Sequence, residues 1–145
     1  MTNKEILNDI LSVEKEYLNS FSMVLNKDIT ENIKNQIHTY DIVDHLLGNK
    51  KYVERDNIKF FMKDIIESPE VLNDTRFIML DTFHEGVYEI SFYEKLKEIN
   101  YKGILFCDDI HLNEKMENFW NLITHEKYDI TDKGHETGSG IVLFE

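Results

Sequence analysis

Two short segments concentrate the residue types that hold metal ions and move protons. Asp81-Thr82-Phe83-His84 sets a carboxylate three residues ahead of an imidazole, and Asp108-Asp109-Ile110-His111 adds two adjacent carboxylates. Three carboxylates brought to one edge repel one another unless something compensates them. A divalent, oxygen-liking cation such as Mg²⁺ does so, which makes Asp81, Asp108 and Asp109 its ligands. The competing reading is structural: Asp108 and Asp109 cap the next helix while Asp81 accepts bonds from loop amides. Residue chemistry alone weighs the two evenly. His84 has two readings as well. It is a general base beside the metal, because imidazole exchanges protons near neutral pH, or, more plainly, a loop histidine with one backbone hydrogen bond.

These residues matter together only if the chain carries them to one place. Short apolar runs alternate with amphipathic stretches. Strands are expected at Gln36–Asp41, Asn57–Met62, Arg76–Asp81 and Gly103–Asp108, the last two nearly continuous and apolar. Such strands read as buried on both faces, as central parallel strands are. Val87, Ile90, Tyr93 and Leu96 recur at helical spacing within Glu85–Ile99, and Leu112, Met116, Phe119, Trp120 and Ile123 do so in the next helix. Pro69 suits the first turn of a short helix capped by Ser68. Lys127–Thr131 and Gly140–Phe144 read as two strands whose connection is too short for a parallel crossover, so they pair antiparallel. The pattern predicts an α/β sheet with helices on both faces. Ligands of such sheets bind at the carboxyl ends of the strands, where Asp41, Asp81, Asp108 and Asp109 stand.

Asp41 is placed to accept hydrogen bonds from ribose hydroxyls, with Asp44 as a competitor. Asp64 either faces an adenine ring or is a solvated carboxylate. His111 is a weaker site candidate, and His38, His45 and His125 read as surface residues. The stretch His135–Gly140 reads as a plain hairpin turn rather than a phosphate loop, because it lacks a lysine and precedes no helix. Tyr88, Phe92, Tyr93, Phe119 and Trp120 read as core.

The 145 residues suit one domain, 1–145, with no linker or repeat to divide it. Lys plus Arg is 16 and Asp plus Glu is 28, a net charge of −12. That field repels phosphate backbones and anionic lipid, so neither nucleic acid nor a membrane surface is an expected partner. No run approaches the roughly 20 apolar residues of a membrane span, and no secretory leader is visible. The lone Cys107 lies in an apolar run and forms no internal disulfide. A cytoplasmic location is the expectation.

Tyr40-Asp41-Ile42-Val43-Asp44, Phe77 through Gly86, Lys102 through Ile110, Tyr128-Asp129-Ile130-Thr131 and Gly138 through Val142 follow one order and spacing. In these segments the chain resembles class I S-adenosylmethionine-dependent methyltransferases, nearest the small metal-assisted sugar O-methyltransferases of the macrocin and mycinamicin type. The resemblance covers about residues 36–145 and implies a Rossmann-like, mostly parallel sheet ending in an antiparallel hairpin strand. It implies S-adenosylmethionine as cofactor, Mg²⁺ or a similar cation at Asp81, Asp109 and Asp108, and His84 as the base that takes a proton from a hydroxyl. The acceptor implied is a sugar or another small molecule. Asp41 matches the ribose-binding acid; Asp64 and Ser12 complete the expected cofactor contacts.

The front of the chain departs from the family. Laid against the family's glycine-rich turn, Leu11–Ser20 fits at Leu11, Val13, Asn19 and Ser20, but Glu14, Glu16 and Leu18 stand where glycines belong. No glycine precedes Gly48. Two readings stay even. Either a first strand exists with a degenerate loop, or Asn3–Leu25 is a helix, with Ile6, Ile10, Val13, Tyr17 and Phe21 on one face, and the strand is absent by truncation or divergence. The function expected is O-methyl transfer; the alternative is a non-catalytic methyltransferase-like module that has lost its cofactor. A chain with a clipped first strand would expose apolar sheet surface and form a homodimer to cover it.

Overall fold

A computed structural model describes residues 2–12, 36–43, 57–134 and 136–145. Helix α1 (Asn3–Ser12) opens it. A reciprocal capping box starts the helix: Glu5 N donates to Thr2 Oγ1 at 3.2 Å and Thr2 N donates to Glu5 Oε2 at 2.6 Å. Leu11 and Ser12 are therefore helical, which overturns the strand reading at those two residues. Val13–Ser20 lies outside the described residues.

Strands β1 (Ile37–Asp41) and β2 (Ile58–Met62) pair in parallel. A 3₁₀ turn (Ile65–Glu67) and helix α2 (Pro69–Asp74) follow. Pro69 opens α2 as expected, but the Ser68 hydroxyl makes no cap; it accepts from Lys63 Nζ at 2.7 Å instead. Then come β3 (Phe77–Leu80), α3 (Val87–Glu98), β4 (Gly103–Asp108), α4 (Glu114–Leu122), β5 (Lys127–Asp129) and β6 (Ser139–Phe144).

The second sheet has the order β3-β4-β6-β5. β3 and β4 are parallel, whereas β6 lies between β4 and β5 and is antiparallel to both. The final antiparallel hairpin is as expected. The single mostly parallel sheet is not: among the described residues there are two sheets, and the second is mixed.

Period-two alternation explains the unbroken apolar run of β4. Leu105 and Cys107 join Phe92, Tyr93 and Leu96 of α3 and Met116, Phe119 and Trp120 of α4. Ile104 points the other way, to Ile141, Leu143, Ile130 and, partly buried, Ile6 of α1. Helices thus cover both faces, and the five aromatics read as core pack there, four buried and Tyr88 half-buried. β3 differs from expectation: it is the edge of the described four-stranded sheet, and Phe77 and Met79, which share one face, are exposed. Cys107 is a buried small hydrophobe; burial pushes its thiol up, helped by Asp108 and Glu89. His125 is half-buried rather than a surface residue, with Nδ1 2.7 Å from Tyr93 Oη and its ring 4.3 Å from that of Phe144.

Gly103 starts β4 where a Cβ would strike the Arg76 carbonyl and the Tyr101 hydroxyl. The carbonyl is backbone and already accepts from Ile104 N at 2.9 Å, so it has no room to retreat. Gly103→Ala is expected to cost about 1–3 kcal/mol, read as a lower urea midpoint at unchanged slope.

Candidate active site

The parallel register Leu80↔Cys107 ends β3 and β4 side by side. The loop Asp81–Gly86 therefore lies beside the loop that begins at Asp108, and the two acidic segments meet. His84 Nε2 is 3.3 Å from Asp81 Oδ1 and 3.3 Å from Asp109 Oδ2. Asp81, His84 and Asp108 each offer a ligand atom, all within 4.8 Å of one another. His84 and Asp109 side chains are 19% and 18% exposed, while Asp81 is 56% exposed. The site thus has an enclosed imidazole–carboxylate pair and an open carboxylate.

The helix-cap reading of Asp108 and Asp109 does not hold. Asn113 caps α4, its Oδ1 accepting from Met116 N at 3.0 Å. Asp109 instead has a left-handed backbone, φ 55°. Its Oδ1 accepts from the Thr137 hydroxyl while its Oδ2 faces His84.

The other expected site residues stand on other elements. Asp41 ends β1, and its Oδ1 accepts from Val43 N at 2.9 Å, a local turn contact; Asp44 and His45 lie outside the described residues. Asp64 follows β2 and is neither free nor simply solvated. Its Oδ1 accepts from Ile66 N at 2.9 Å and from Tyr88 Oη at 2.6 Å, tying the end of β2 to the first turn of α3. Burial, then that bond to Asp64, pushes the Tyr88 phenol up. Ser12 is the last residue of α1. His111 bridges the loop after β4 to the end of β5, with Nε2 2.7 Å from Asp129 Oδ2.

Three residues around the cluster escaped the sequence reading. Glu89, 1% exposed, accepts through Oε1 from Thr82 Oγ1 at 2.5 Å and from His84 N at 2.9 Å. Asn113 Nδ2 donates to the His84 carbonyl at 2.9 Å. Thr137 comes from the stretch read as a plain turn, and its carbonyl also accepts from His111 N at 2.8 Å. A glutamate three residues into a helix is an ordinary capping signal, and Asn113 before α4 is another. Neither signal by itself reveals a second partner across the fold.

The chain has a mixed α/β fold similar to that of a solved methyltransferase. The SAH-bound methyltransferase PaMTH1 of Podospora anserina superimposes with a TM-score of 0.61 at 13% identity, over 88% of this chain and 68% of that one. No family model matches the chain, and no curated protein does. Among the described residues, no helix is long and apolar enough to cross a membrane.

Proposed function

We propose that the chain is a class I, S-adenosylmethionine-dependent O-methyltransferase acting on a hydroxyl of a small, sugar-like acceptor with help from a divalent cation. The observation that carries this reading is the place of His84, its Nε2 between two carboxylates at the carboxyl ends of adjacent parallel strands. The likeness to an SAH-bound methyltransferase supports it.

The residues fit a cation. Asp81 and Asp108 offer carboxylate oxygens within 4.8 Å of each other, the hard donors that such a cation takes. Asp81, Asp108 and Asp109 are the ligands assigned to the metal. Asp41 and Asp64 are the contacts assigned to the cofactor, with Asp41 on the ribose; Ser12, helical rather than in a strand-end turn, is not retained. When bound, the cofactor supplies the methyl group, and the cation makes the acceptor hydroxyl more acidic. His84 then accepts the hydroxyl proton at Nε2, and Asp109 faces the resulting imidazolium. Asp109 is itself fixed by Thr137. Holding the acceptor beside this base removes much of the entropic barrier.

One observation favours a second reading, a non-catalytic module. No glycine precedes Gly48, so nothing in the first segment offers the close backbone approach that a cofactor's methionine end needs. Calorimetric titration with S-adenosylmethionine separates the two. Micromolar binding that Asp41→Ala weakens supports the enzyme; no heat and no thermal stabilisation leaves the module.

A further inference from the structure

His84 has a left-handed backbone, φ 56°, next to Gly86 at φ 80°. A non-glycine residue keeps such a conformation only where its surroundings impose it. Here both backbone polar groups of His84 are held by side chains from two different helices. The N–H donates to Glu89 Oε1 in the first turn of α3, and the carbonyl accepts from Asn113 Nδ2 at the cap of α4.

Neither partner is explained by its own helix. Glu89 is buried, yet its Oε2 has no hydrogen-bond partner among the described residues. A buried carboxylate with one oxygen unsatisfied is a poor choice for stability alone. Glycine would start α4 nearly as well as Asn113 does, but only a side chain with both an acceptor and a donor can cap α4 and hold His84 together. The two helix starts also meet closely: a Cβ on Gly86 would lie 2.8 Å from the Lys115 carbonyl oxygen.

We propose that Glu89 and Asn113 are positioning residues that clamp the His84 peptide from both sides and so aim its imidazole between Asp81 and Asp109. This rests on the role of His84 given above. Glu89 also holds Thr82 through the same oxygen, so one carboxylate shapes the loop from residue 82 to residue 84.

The variants Asn113→Gly, Glu89→Leu and Glu89→Gln test the clamp on the whole chain. Asn113→Gly costs the start of α4 little and loses the donor; Glu89→Gln keeps the acceptor; Glu89→Leu keeps burial and loses it. Long-range ¹H–¹⁵N spectra report the His84 ring, thermal unfolding reports the helices, and methyl transfer reports kcat and KM. In Asn113→Gly and Glu89→Leu the ring signal should shift or broaden, and kcat should fall about 10-fold to 100-fold at unchanged KM. Glu89→Gln should restore the parent spectrum. Asn113→Gly should melt close to the parent, so it decides the matter even if Glu89→Leu fails to fold. A parent-like ring signal in Asn113→Gly overturns the clamp and leaves Asn113 a helix cap. A shifted signal in a protein whose parent transfers no methyl group supports the clamp and refutes the function instead.

Discussion

Replacing His84 with alanine is expected to slow methyl transfer by about 10²–10⁴-fold while leaving the affinity for S-adenosylmethionine unchanged. That range is what a positioned general base contributes. The assignment rests on geometry: Nε2 lies 3.3 Å from Asp81 Oδ1 and 3.3 Å from Asp109 Oδ2, and the side chain is 19% exposed. Transfer of a labelled methyl group to a panel of hydroxyl acceptors measures the effect. An unchanged rate in His84→Ala would mean the proton leaves by another route, and His84 would then be a ligand or a structural residue.

The second large effect concerns the cation. Neutralising Asp81 and Asp108 together, as Asp81→Asn with Asp108→Asn, should weaken Mn²⁺ binding by about 100-fold. A unit charge at about 4 Å and an effective dielectric of 20 contributes about 4 kcal/mol per unit of cation charge. Asp81 is more than half exposed, so solvent removes much of that figure. About 1.4 kcal/mol from each carboxylate remains, ten-fold apiece. The same variant carries an opposite sign without metal. Relieving like-charge repulsion should let it melt at or above the parent's temperature. Electron spin resonance of free Mn²⁺ reads the first effect and thermal unfolding reads the second. Unchanged Mn²⁺ affinity would mean that these carboxylates hold no cation.

Much of this architecture was legible in the residues, because the strongest signals are periodic and local. The apolar runs at residues 77–80 and 103–108 are strands. The helical spacing of Val87, Ile90, Tyr93 and Leu96 marks α3. The short connection before Gly140 fits an antiparallel pair. The meeting of Asp81 and His84 with Asp108 and Asp109 followed from one assumption, that β3 and β4 are neighbours, and their register satisfies it. The insertion of β6 between β4 and β5 was not legible, since strand order depends on long-range pairing that no local pattern encodes. The solvated reading of Asp64 fails because its partner, Tyr88, is 24 residues away and looks like any core aromatic. Glu89 and Thr137 were missed for a related reason. One looked like a helix-start acid and the other like a turn hydroxyl, and only the fold shows that both reach the loops holding His84 and Asp109.

Cofactor and cation are expected to share one site beside His84. The most direct measurement is the effect of Mn²⁺ on the S-methyl proton signal of S-adenosylmethionine mixed with the protein, because paramagnetic broadening falls steeply with distance. Strong broadening is expected that needs the protein, is reversed by excess Mg²⁺, and is lost in Asp81→Asn with Asp108→Asn. A methyl signal that stays sharp with the protein and Mn²⁺ both present would mean that cofactor and cation do not share the site.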